Sequence, residues 1–174
     1  MAWAAQVADI DPMKCTSFQN IVVMCGTNDL KRDGLQNEGI VDIYKCYKGK
    51  FEQIRELNPN CKIFVCPVLP TRSHSINTKI NIFNRMLYND LLQTSLGVRL
   101  VNGFSEFVEH NGLLKTKLHD PRTESDALHI NDAGYRILVK LLKREIFASK
   151  KSGHNRVGAK LFSNAARGGP EGTG

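Results

Sequence analysis

Two short motifs hold the residues of this sequence whose types and spacing could do chemistry: Gly26-Thr27-Asn28-Asp29-Leu30 and Asp126-Ala127-Leu128-His129. The side-chain amide of Asn28 can donate a hydrogen bond to an oxygen that is gaining negative charge, which is usually a large term in acyl-transfer catalysis. Asp126 can hold the imidazole of His129 in one tautomer and stabilise its protonated form. His129 can then take a proton from a hydroxyl or a water and return it to a leaving group. Each motif alone has a plain structural reading, as a turn with capping residues or as a local hydrogen-bonded pair. Taken together they supply acid, base and oxyanion donor.

The elements around these motifs must carry them to one place. Asn20–Cys25 is a short β-branched apolar run ending at a glycine, Cys61–Cys66 repeats the pattern and stops at Pro67, and Val98–Val101 is a weaker third instance. Runs of this kind are the signature of buried parallel strands. Between them lie helical periodicities: Ile43, Tyr44, Tyr47, Phe51, Ile54 and Leu57, ended by Asn58-Pro59-Asn60, and then Ile80, Phe83, Leu87 and Leu91, ending near Gly97. A last helix starts at Asn131-Asp132, a good N-cap, and runs through Tyr135, Leu138, Leu141, Leu142 and Ile146. The alternation predicts an α/β fold, a parallel sheet with helices on both faces. Ligands in such folds bind beyond the carboxyl ends of the strands, where both motifs fall.

Composition bounds the rest. With 41% hydrophobic and 24% charged residues the 174-residue chain is long enough for one domain with a real core. The five cysteines are odd in number and two flank apolar strands, so they read as free thiols in a reducing compartment, intracellular and cytoplasmic. No metal site is expected, because Cys61 and Cys66 lack ligand spacing with any histidine. No apolar run approaches the roughly 20 residues that span a bilayer, and Met1–Ile10 has no basic start, so no membrane contact or secretory signal is expected. From Lys143 to Gly174 there are seven Lys or Arg against two Glu, so that segment carries +5 of the net +7. We read 1–149 as the α/β domain and 150–174 as a flexible basic, Gly-rich tail.

The two motifs resemble the SGNH hydrolases, the GDSL-like esterases and lipases. Gly26, Asn28 and Asp29 match that family's third block, and Asp126 and His129 match its fifth. Softer echoes are Pro67-Val68-Leu69-Pro70, Asn81 to Leu87 (NIFNRML) and the phrase DALHINDAGYRIL from Asp126 to Leu138. The resemblance runs from about Asn20 to Phe147, and it looks most like the esterase-like domains of some non-LTR retrotransposons. It implies a three-layer flavodoxin-like fold, hydrolysis of ester or acetyl groups on a small substrate, and no metal or organic cofactor. Asn28 would be an oxyanion-hole donor, and Asp126 with His129 would complete a triad.

The sequence departs from the family pattern at its nucleophile, since there is no Gly-Asp-Ser, and no second-block glycine ahead of the first strand. Ser17 precedes that strand, at the opposite edge of the sheet, while Ser73 and Ser75 follow Pro70 at the correct edge. The sheet is therefore expected to lack the family's first strands, leaving Asn20–Cys25 as an apolar edge open to self-association. Two functions follow: an esterase-like enzyme, or an inert SGNH-like binding domain whose basic tail contacts RNA or another polyanion.

Overall fold

The three apolar runs form three short strands, β1 (Asn20–Val23), β2 (Lys62–Val65) and β3 (Val98–Leu100). They pair in parallel in the order β1-β2-β3, with Ile21 opposite Ile63 and Phe64 opposite Arg99. The computed structural model describes residues 7–91, 96–123 and 129–152. Asp126, the segment 153–174 and most of the expected tail lie outside them.

Among the described residues four α-helices accompany the strands: α1 (Thr27–Leu30), α2 (Asn37–Leu57), α3 (His74–Asn89) and α4 (Asp132–Ser152). Alternation along β2 sorts them into layers, because successive side chains of a strand point to opposite faces. Ile63 and Val65 join a cluster with Tyr47, Phe51 and Ile54 of α2 and Ile80, Phe83 and Leu87 of α3. Phe64 and Cys66 join a second cluster with Leu138 and Leu141 of α4 and with Phe107, Leu114, Leu118 and Ile130. The result is three layers with a parallel three-stranded sheet in the middle, the α/β architecture expected from the sequence.

An aromatic wedge joins α2 to α3. Tyr47 meets Phe51 and Phe83 edge-on, with ring centroids 4.7 Å and 5.6 Å apart, an arrangement favoured by the ring quadrupole. The helix ends follow local chemistry: Asn58 caps the end of α2, Ser73 caps the start of α3, and Asn131 accepts the N–H of Gly134 at 3.1 Å to cap α4.

Three particulars differ from the sequence expectation. α4 continues past Ser149 to Ser152, because Lys and Ala sustain a helix after the apolar stripe has ended. Leu57 and Tyr135, counted on apolar stripes, are exposed, since each sits at a margin of its helix's buried face. β1 is also not buried on both faces as β2 is: Ile21 and Val23 enter the core, whereas Val22 is 43% exposed. On that face Phe64, Cys66 and Val101 pack with Leu138 and Leu141 of α4, and no residue of β1 joins that cluster. As expected, β1 is an edge of the sheet among the described residues.

Candidate functional site

Beyond β1 the chain turns sharply. Gly26 is buried with φ +115°, a conformation that L side chains rarely adopt, and a Cβ there would stand 3.1 Å from Val68 Cγ2. That glycine opens the single turn of α1, closed by bonds from Leu30 N–H to Gly26 O and from Lys31 N–H to Thr27 O, both 3.0 Å. Asn28 lies in this turn, half-buried, immediately past the carboxyl end of β1.

Its neighbour Asp29 has a different task. Asp29 is buried, accepts the backbone N–H of Val7 at 2.9 Å and meets Arg32 at 3.2 Å. The carboxylate thus ties the segment before β1 to the turn after it, and holds α1 in place beneath Asn28.

His129 lies directly before α4 and is exposed. Its segment is gripped by the chain ten residues upstream. His129 O accepts the N–H of Asp120 at 3.0 Å, His119 bridges Ile130, and Asn131 N–H donates to Leu118 O at 2.8 Å. The Asn131 amide adds bonds to the carbonyls of Lys117 and His119 at 2.9 and 3.1 Å. Asp120 is itself held by Arg122 through the side chain and the backbone N–H, and these bonds draw its carboxyl down to about 2.

Leu138 and Leu141 line a water-sized cavity of about 10 Å³ with Cys66, Pro67, Leu69, Val101, Gly103, Phe104 and Phe107. The first half of α4 therefore lies over the carboxyl ends of β2 and β3. A Cβ on Gly103 would come within 2.6 Å of Leu141, so glycine there permits this approach. His129 lies three residues before the first residue of α4. Asp126 lies outside the described residues.

The loop after β2 is fixed by polar side chains that the sequence reading passed over. Asn84 accepts the N–H of Val68 and donates to its carbonyl, both at 2.9 Å. Asn77 accepts from Thr71 N–H and Oγ1 at 2.8 and 2.9 Å and donates to Thr71 O and Gly112 O. Both asparagines are buried. They share the stripe of Ile80 and Leu87, and polar residues inside an apolar stripe are the signal that could have found them.

Hydroxyls and thiols near this edge have other roles. Ser73 caps α3 and pairs with Ser75 Oγ at 3.1 Å, while Ser17 precedes β1 and so lies at the opposite edge. Burial pushes the thiols of Cys25 and Cys66 up to about 12, so both are protonated at neutral pH and poor nucleophiles.

Residues 2–137 match the GDSL-like Lipase/Acylhydrolase family, a span that includes both motifs. The chain belongs to this family. Among solved structures, this GDSL-like chain resembles a Streptococcus pneumonia protein provisionally described as a platelet activating factor, at 24% identity and a TM-score of 0.60. That match covers 73% of this chain and 59% of the other, so the chain spans less than two thirds of that relative's length. It also resembles a carbohydrate esterase family 3 protein from Talaromyces cellulolyticus, at 18% identity and a TM-score of 0.55, covering 84% of this chain and 69% of that one. At these identities the likeness is one of fold. No curated protein matches the sequence. Among the described residues no helix is long and apolar enough to cross a membrane.

Proposed function

We propose that this GDSL-like domain hydrolyses small acyl esters at the carboxyl edge of its sheet. In this reading His129 takes a proton from the attacking group as its oxygen bonds to the ester carbonyl carbon. The carbonyl oxygen becomes an oxyanion and accepts a hydrogen bond from the Asn28 amide. When the intermediate collapses, the bond to the leaving oxygen breaks and His129 returns the proton to it. Asp126 orients the imidazole. These 174 residues contain no Gly-Asp-Ser, and in this reading the attacking oxygen is that of a hydroxyl or a water within reach of His129. The observation that carries the proposal is the turn just past the carboxyl end of β1, which contains Asn28 between a positive-φ Gly26 and a buried, bonded Asp29.

Steady-state hydrolysis of p-nitrophenyl acetate tests it. Asn28→Ala is expected to lower kcat by roughly 10²–10³ with KM nearly unchanged, the signature of a lost oxyanion donor. An unchanged kcat in the folded variant rejects the assignment. The missing Gly-Asp-Ser favours one second reading, an inert binding domain, and a folded chain without turnover is its expected behaviour. Five free cysteines support a reducing, intracellular setting, and the uncharged edge of β1 supports self-association.

A further inference from the structure

The inner face of α4 is spent on the core through Leu138 and Leu141, and its outer face beyond the first turn carries a row of basic residues. Arg136, Lys140 and Lys143 are all exposed, spaced so that they run along one side of the helix over about 10 Å. None of the three has an ion-pair partner among the described residues. Asp132, exposed in the first turn, stands one turn before Arg136 at the start of this row, and Glu145 is half-buried beside Arg144 on the opposite side.

Two further arginines extend the field. Arg99 of β3 is exposed and sits opposite Phe64 in register, which places it on the α4 side of the sheet. Arg144 donates to Asn102 O at 2.7 Å and so lies on the flank of α4 nearest β3. The contrast with α2 is direct, because its exposed face mixes Lys45 with Asp42, Glu52 and Glu56. Helix formation asks for no row of three cations, and like charges at this spacing are mildly destabilising.

We propose that the outer face of α4, with Arg99 beside it, docks the phosphate backbone of single-stranded nucleic acid. Aligned cations match a line of phosphates and displace their counterions. Tyr135 and Phe147, exposed by 42% and 57% near the two ends of the basic row, offer rings on which bases stack. An anionic membrane is a poorer match, because a helix that lies in a bilayer needs its apolar face free and α4 buries its own against the sheet.

Fluorescence anisotropy of a labelled oligouridylate of about 20 nucleotides, titrated with the full 174-residue chain at several salt concentrations, tests this. The triple variant Arg136→Gln, Lys140→Gln, Lys143→Gln keeps good helix formers, and circular dichroism with a thermal melt verifies its fold. The expected result is affinity lower by about tenfold or more at low salt, and a log-log salt slope shallower by about 2, from three lost phosphate contacts. Lys45→Gln on α2 is expected to bind as the wild type does. Equal affinity and slope in the triple variant, no oligonucleotide binding at all, or binding to anionic vesicles alone would each overturn the proposal.

Discussion

The Asp29 carboxylate accepts the backbone N–H of Val7 at 2.9 Å, across 22 positions of the chain. One side chain of the Gly-x-Asn-Asp motif, that of Asp29, thus serves the fold. Asp29→Ala would leave that N–H without its acceptor and Arg32 without its carboxylate. The expected loss is about 1–3 kcal/mol, read as a lower urea midpoint with an unchanged slope. A midpoint equal to that of the wild type would show that the clamp contributes nothing.

The loop that holds His129 should be sensitive to acid. Bonds from Arg122 lower the Asp120 carboxyl from 3.8 to about 2, so the folded state binds its proton less readily than the unfolded chain does. The stabilisation is therefore complete above about pH 4 and fades as pH falls toward about 2. Asp120→Asn should melt at a lower temperature than the wild type at neutral pH, with the two curves converging at the acid end. A gap that is constant across the whole range would assign the effect to something other than this ionisation.

The protonated thiols at the sheet edge make a chemical prediction. Cys46 is exposed on α2, whereas Cys66 is buried and Cys25 is raised to about 12 by burial. Brief treatment of the folded protein with iodoacetamide at neutral pH, followed by peptide mass spectrometry, should find Cys46 alkylated and Cys25 and Cys66 spared. Rapid labelling of Cys25 would reopen it as a nucleophile for the site.

The sequence was informative wherever a structural decision was local. Continuous β-branched runs announced the strands, the stripes of α2 and α3 announced their buried faces, and Asn131 read correctly as a cap. What it withheld was non-local. Asn131 also grips carbonyls 12 and 14 residues upstream, Asp29 reaches back to Val7, and Asn77 binds Gly112. None of these partners can be read from spacing. The unequal burial of β1 and β2 escaped notice for the same reason: NIVV and KIFV look alike, yet Val22 is exposed and Phe64 is buried. The turn after β1 was legible as a turn, while the bond from Val7 to Asp29 that ties it down was not.

The central claim is that His129 performs proton transfer in ester hydrolysis. It is tested most directly by the rate of p-nitrophenyl acetate hydrolysis, above the uncatalysed background, for the folded wild type and folded His129→Ala. We expect measurable turnover by the wild type and a loss of about 10²-fold or more in the variant, the usual contribution of a positioned general base. Equal rates in the two proteins, or no turnover by the intact folded chain, would contradict the account.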